Sequence, residues 1–318
     1  MSYIINKNII VSFLDYYGLE DIRSEPISDG LSSSVSLITC ENRKYVLKIY
    51  PKNSNIETEV QFGNYLFDKG IPTAKVIKNS KGQLITVVDD LRGVLFKFCS
   101  GEQIKWDNIS SAFSEHVAEI LAKMHILMLN NNASIPAKEQ CGCEIYSTTG
   151  LSNTKIIQKK EEIENSVKNL VLSDIRKGLI HADLTRRNVL ATKDKNDVDA
   201  IIDCGDAHYD YIVWDLSILI THIFITKTYG IDWRALSSFI KKYYSLFPLT
   251  EKEIDVIIPF IKIRNLNLAI EVNRLALDKK KENMEELLSI ENSVMTKLKL
   301  VEENQERLVK LLKDGLRR

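Results

Sequence analysis

"LIHADLTRRNVL", residues 179–190, sets His181, Asp183 and Asn188 in a polar knot between two apolar dipeptides, Leu179–Ile180 and Val189–Leu190. Taken singly, each of the three reads equally well as a turn residue or as a hydrogen-bonded buried group. At HxDxxxxN spacing they form a pattern whose meaning depends on the rest of the chain. Fifteen residues beyond Asn188, "AIIDCGDA" (200–207) delivers Asp203 at the end of an apolar run, and far upstream "KYVLKIY" (44–50) delivers Lys48 inside another.

Phosphoryl transfer gives each of these residue types a reason. A phosphoryl group in flight spreads negative charge over its oxygens, so a protein must position the reactants, stabilise charge with cations and accept the nucleophile's proton. Asp183 suits the last task, orienting an acceptor hydroxyl and taking its proton. Asn188 and Asp203 offer hard oxygen ligands to Mg2+, an ion bound through few protein groups plus the nucleotide's phosphates. Lys48 would hold the α- and β-phosphates of ATP, with GTP an open alternative. A strand ammonium needs a partner. Of Glu57 and Glu59 the second is expected to supply it, because Val60, Phe62 and Leu66 then face the sheet. The turn "SDGLSSSVS" (28–36) offers Gly30, Ser32, Ser33 and Ser34 as cover for phosphate oxygens, although an ordinary hairpin turn has the same composition. No GxxxxGK[ST] loop is present.

Around these residues the chain is that of a folded, enzyme-sized protein. Its 318 residues, 44% apolar, suffice for two domains or one large two-lobed unit. Forty-three basic residues balance forty-three acidic ones, so no global field points to nucleic acid or to a membrane surface. The opening "MSYIINKNIIVSFLDYYGLE" does not read as a signal peptide, and apolar windows such as "YIVWDLSILITHIFI" (211–225) are cut by Asp215 and His222. A cytoplasmic protein with reduced thiols at Cys40, Cys99, Cys141, Cys143 and Cys204 is therefore expected. Oligomeric state is not legible.

Up to about residue 100 the patterning is strand-like. "LSSSVSLITC" and "KYVLKIY" are joined by the turn "ENR", a helix is expected over Ile56–Lys69 with Gly70 as its stop, and "TAKVIKN", "QLITVVDD" and "GVLFKFC" read as three further strands. Beyond Ser100–Gly101 helical periodicity takes over, around 108–130, 155–172, 213–228, 232–246, 251–278 and 283–315. Only 179–206 interrupts it. The expectation is an α+β fold in two parts. Residues 1–99 form a nucleotide-binding lobe, with an antiparallel five-stranded sheet plus one helix. Residues 100–318 form a larger, mainly helical lobe for catalysis and acceptor binding.

The order Lys48, Glu59, "HADLTRRN", "IIDCGD" and "DLSI" resembles the aminoglycoside phosphotransferase and choline kinase superfamily, whose fold is similar to that of protein kinases. The likeness covers most of the chain: "VAEILAKMH" (117–125) looks like the helix that opens the helical lobe, and "LFKFCSGEQI" (95–104) like the hinge. It implies that main-chain groups of Lys97 and Cys99 hold adenine. It also implies that Asp215 braces the catalytic loop, alongside which a plain helix cap before "LSILI" is an equal and compatible reading. Cys204 stands where Phe is common in the family, and Ala182 where Gly is frequent.

Thr185 replaces the usual protein-kinase Lys, and only eleven residues separate Asp203 from Asp215, leaving no room for a long activation segment. The implied acceptor is thus the hydroxyl of a small molecule. "AIIDCGDAHYDYIVWDLSI" (200–218), together with "LIHADLTRRNVL" and residues 257–288, looks most like the hydroxylysine kinase branch, with homoserine-type and antibiotic kinases as neighbours, implying an amino acid or amino alcohol. Arg264 and Glu271, seven apart on one helical face, are candidates to grip a carboxylate and an ammonium, and Asp206 is a further acceptor-side candidate. An aminoglycoside-type antibiotic kinase and an inactive, nucleotide-binding pseudokinase are the alternatives.

Overall fold

The computed structural model describes residues 6–29, 33–130, 135–278 and 284–315. The chain divides into two compact units. The first comprises Met1–Gly101, Ser134–Pro136 and Asp199–Gly205, the second Glu102–Ala133, Ala137–Val198 and Asp206–Arg318. The return of 199–205 to the first unit places Asp203 with the N-terminal sheet, whose strands are more than a hundred residues away in sequence.

In the first unit, helix α1 (Lys7–Leu14) is capped by Asn6, whose side chain accepts from the Ile9 amide at 3.0 Å. The sheet follows: β1 (Ile22–Asp29), β2 (Ser34–Cys40), β3 (Arg43–Pro51), β4 (Val76–Ile77), β5 (Thr86–Val88) and β6 (Leu91–Lys97). Its order is β1-β2-β3-β6-β4 with β5 also on β6, and its described pairings are antiparallel. Six strands stand where patterning predicts five. The extra one, "IRSEPISD", is an edge strand with few apolar residues and with its register broken between Pro26 and Ser28. A proline without an N–H is tolerated there, and a polar edge carries no alternating signal.

Side chains of β3 alternate between two apolar clusters. Leu47 and Ile49 pack with Ile10, Phe13 and Leu14 of α1, whereas Tyr50 packs with Ile56, Val60, Val94 and Phe96. Helix α2 (Glu57–Asp68) covers this second face, ending within one residue of the expected bounds, with Gly70 beyond it at φ 78°. Gly93 is required by packing, since a Cβ there would lie 2.5 Å from the Phe13 ring.

The second unit starts with β7 (Glu102–Gln103) and α3 (Ser111–Leu129), whose cap Ser110 accepts from the Phe113 amide at 3.1 Å. It continues with α4 (Thr154–Val167), β8 (Lys177–Ile180), β9 (Val189–Ala191), β10 (Val198–Ile201, at the boundary), β11 (His208–Tyr211) and α5 (Ile212–Leu219). β7 pairs with β9 and β8 with β11, so the "LIHADLTRRNVL" loop is held at both ends by short antiparallel ladders. The helix expected to run to 228 instead gives way at Leu219 to a π-helical turn, Ile220–Phe224. A hairpin of β12 (Ile225–Thr226) and β13 (Gly230–Ile231) follows. β-branched residues and Gly230 at φ 76° favour that ending.

Helices α6 (Trp233–Leu246), α7 (Glu251–Asp278), α8 (Met284–Glu303) and α9 (Gln305–Asp314) complete the unit. The single helix expected over 283–315 is thus two, parted at Asn304. Thr250 and Glu253 form a capping box at the start of α7, each side chain taking the other's backbone N–H (3.2 and 2.9 Å). All five cysteines are free thiols. No helix of the described residues is long and apolar enough to cross a membrane.

Candidate active site

In the first unit the alternation of β3 sends Lys48 toward α2. Its Nζ lies 2.8 Å from Glu59 Oε1 and 2.7 Å from Asp203 Oδ1. Glu59 is selected over Glu57 by the helix face: Glu57 pairs with Arg92 instead, while Glu59 shares the buried face with Val60, Phe62 and Leu66. Tyr50, two residues from Lys48 on the same strand face, donates its hydroxyl to Glu59 Oε2 at 2.7 Å. Sequence reasoning missed this tyrosine, although the period of two contained it.

Burial opposes the charge on Lys48, yet Glu59 and then Tyr50 and Asp203 outweigh it and hold the ammonium above its ordinary range. Burial and the Glu59 charge likewise keep the Tyr50 hydroxyl protonated. Asp203 sits in the left-handed region at φ 65° with half of its side chain exposed, a strained turn that presents a carboxylate outward. Cys204 beside it is buried, its Sγ against Gly63 of α2.

Other residues singled out in this unit are placed as follows. Ser34 opens β2 and Ser33 precedes it, both half-buried, and Gly30 and Ser32 lie outside the described residues. The Lys97 amide donates to the Lys75 carbonyl at 2.8 Å, and the Lys97 carbonyl receives the Cys99 thiol at 4.0 Å. Burial, reinforced by Asp199, pushes that thiol up to about 11.

In the second unit the loop between β8 and β9 gathers Asp183, Asn188 and, from α7, Arg264. Asn188 Nδ2 donates to Asp183 Oδ2 (2.7 Å) and to the Asp183 carbonyl (3.0 Å), and Arg264 Nη2 donates to Asp183 Oδ1 (3.2 Å). With its nitrogen so engaged, the buried Asn188 side chain can offer a ligand only through its amide oxygen.

Asp215 is fully buried inside α5 and accepts the backbone amides of His181 (2.8 Å) and Ala182 (2.6 Å). It braces the loop, and the cap reading is corrected, because its carboxylate serves loop amides rather than those of its own helix. Burial opposes ionisation of Asp215, but His125 and the His181 amide hold its carboxyl below the usual range. His125 Nε2 is 3.7 Å from Asp215, and burial depresses its own pKa, so the two loop amides at shorter range are the firmer partners. Ala182 adopts φ 64°, where glycine would be unstrained.

Arg186, within the quoted motif but unassigned by it, binds the carbonyls of His222 (3.0 Å), Ile223 (2.7 Å) and Trp106 (2.6 Å) and so ties the loop to the π-helical turn. Asp206 and Glu271 are solvent exposed. A cavity of about 280 Å³ in this unit is lined by Asp107, Arg186, Phe224, Tyr229, Asp232 and Trp233 among others, and neither Asp183 nor Asn188 lines it. The carboxylate, amide and guanidinium that meet at Asp183 lie outside that cavity's lining. Among the described residues no cluster of three or more His, Cys, Asp or Glu could hold a metal ion unaided.

Residues 23–236 match the phosphotransferase enzyme family. A homoserine kinase of Methylobacillus flagellatus is 25% identical over 235 residues, covering 71% of this chain and 72% of its own. An amicoumacin kinase solved with AMP-PNP, Ca2+ and Ami superposes with a TM-score of 0.72 at 18% identity, over 91% of this chain and 92% of that one. A microcompartment-associated aminopropanol kinase does so with a TM-score of 0.73 at 15% identity, over 96% and 99%. At such identities the solved structures establish the fold.

Proposed function

The chain belongs to the phosphotransferase enzyme family and acts on the hydroxyl of a small molecule, and on that premise we propose that it transfers the γ-phosphoryl group of ATP, with Mg2+, to a hydroxylated amino acid or amino alcohol. The observation that carries this reading is the Asp183 carboxylate, aligned by Asn188 on one oxygen and Arg264 on the other, in a loop braced by Asp215. Asp183 orients the acceptor hydroxyl and takes its proton as the new O–P bond forms, while the bond from the γ-phosphorus to the bridging oxygen breaks and ADP leaves.

Lys48, held by Glu59 with Tyr50 behind it, is the cation for the α- and β-phosphates. The amide oxygen of Asn188 and the exposed carboxylate of Asp203 are the hard oxygen donors that would hold Mg2+, which would supply charge neutralisation at the phosphates. Main-chain groups of Lys97 and Cys99 are assigned to adenine, and Ser33 and Ser34 to phosphate cover with Gly30 and Ser32. On this reading residues 1–99 serve the nucleotide, and residues 100–318 serve catalysis and the acceptor through Asp183, Arg264, Glu271 and Asp206. The free thiols fit a cytoplasmic setting.

The test is phosphoryl transfer from labelled ATP to a panel of hydroxylated amino acids, amino alcohols and aminoglycosides. Asp183→Ala is expected to lower kcat at least about a hundredfold with nucleotide affinity nearly intact. Unchanged turnover removes Asp183 from the role, and ATP binding without transfer to any acceptor turns the reading toward a pseudokinase.

A further inference from the structure

The π-helical turn after α5 is surrounded by positive charge. Lys297, from α8, donates to the Thr221 carbonyl at 2.9 Å, its one hydrogen bond to another described residue. His222 lies within electrostatic reach of Lys297, Arg264 and Arg186, with no acid among the charges that act on it. His222 Nε2 and Arg264 Nε are buried atoms without a hydrogen-bond partner among the described residues. Arg186, by contrast, makes four hydrogen bonds, one of them to Asp107.

Buried donors without partners are costly, and an anion that accepted from them would offset that cost. Burial, with Arg186 next, lowers the Lys297 ammonium to about 8, and burial with its three cationic neighbours keeps His222 well below its usual range. Capping of the turn's carbonyls accounts for Arg186 and for one Lys297 proton, and the Asp183 ion pair accounts for Arg264 Nη2, which leaves His222 Nε2 and Arg264 Nε without acceptors among the described residues. π-turns inside helices recur at functional sites, which suits a segment that carries both Thr221 and His222.

Arg264 links this cluster to the proposed base, since its Nη2 is on Asp183. We propose that Arg264, His222 and Lys297 form the site for the acceptor's carboxylate, so that the acceptor is a short hydroxylated amino acid rather than an amino alcohol. The inference rests on the kinase reading above and sharpens its substrate class. Only a short carbon chain separates hydroxyl and carboxylate in such a molecule, so one end can meet Asp183 while the other accepts charge-assisted hydrogen bonds.

Matched pairs that differ only by the carboxylate provide the test: L-homoserine against 3-aminopropan-1-ol, and L-serine against ethanolamine. The ratio of kcat/KM between the members of the preferred pair should favour the amino acid by at least about a hundredfold, on the scale of leaving a buried charged site unpaired. Lys297→Met should cut that ratio at least about tenfold through KM. His222→Asn, a milder change, should lower it in the same direction. An amino alcohol used as well as its amino acid, or a ratio unchanged in both variants while melting temperature alone shifts, overturns the carboxylate site. Thermal-shift binding of the same four compounds, with inorganic phosphate as a control, separates this from the parent reading. A shift with an amino acid that Lys297→Met abolishes supports the site even where no transfer occurs, in which case the kinase reading falls alone. A shift with inorganic phosphate only overturns the site.

Discussion

Lys48 and Lys297 are two interior lysines with opposite electrostatic fates. Burial penalises both ammonium groups. Lys48 has Glu59 and Asp203 within 2.8 Å and is held more strongly charged than a free lysine, whereas Lys297 has one carbonyl and a neighbouring guanidinium and is lowered to about 8. The neighbours decide the sign, not depth. One cluster is complete as built and fits the role of a fixed cation for phosphates. The other leaves buried donors of His222 and Arg264 without acceptors among the described residues, which is the state expected of a site completed by its ligand.

The largest effect that can break this contrast is removal of the paired lysine. Lys48→Met strands Glu59, whose side chain is 7% exposed, and is expected to cost about 3 kcal/mol in denaturant unfolding at pH 7 and to reduce kcat/KM by a hundredfold or more. Stability that survives intact would show that the pair is not buried in solution.

Lys297 should behave in the opposite sense. Its folded pKa of about 8 lies below the unfolded value, so the unfolded chain binds more protons between those values and stability rises with pH from about 8 to about 10.5. The gain is on the order of 3 kcal/mol, with the penalty fully present below pH 8. Lys297→Met should raise stability at pH 7 and flatten that rise, as followed by melting temperature against pH. For Lys48, with its pKa raised, stability is fully present below about 10.5 and is lost only above it. A parallel pH response of the two variants would erase the distinction.

The smallest effect concerns the loop that carries Asp183. Ala182→Gly relieves the left-handed backbone and loosens the unfolded chain, leaving a net gain of up to about 1 kcal/mol, checked by equilibrium unfolding. A loss would mean that the Ala182 methyl, buried at 6% exposure, contributes more by packing than the strain costs.

Legibility followed the range of the determining interactions. The hairpin of β2 and β3, helix α2 and the loop between β8 and β9 announce themselves through local periodicity and turn chemistry. Asp183 and Asn188 are found by spacing because five residues of one loop bring them to 2.7 Å. The choice of Glu59 over Glu57 follows from helix phase. By contrast β1 lacks alternation, and the end of α5 looks like more helix because Ile220–Phe224 is apolar. Lys297 did leave a trace, since it falls between Val294, Leu298 and Val301 on the buried face of α8. A lysine in an apolar stripe reads as a snorkelling surface residue until the turn it meets is known.

The chain by itself therefore determined which side chains stand at catalytic spacing, because strand and helix periods and short loops are properties of consecutive residues. Only the tertiary structure decided that Asp203 returns to the sheet beside Lys48, that Asp215 braces loop amides rather than capping its own helix, and that Lys297, His222 and Arg264 converge on one turn. Charge state and hydrogen-bond partnership depend on burial and on neighbours drawn from distant segments, and those are set when the chain packs.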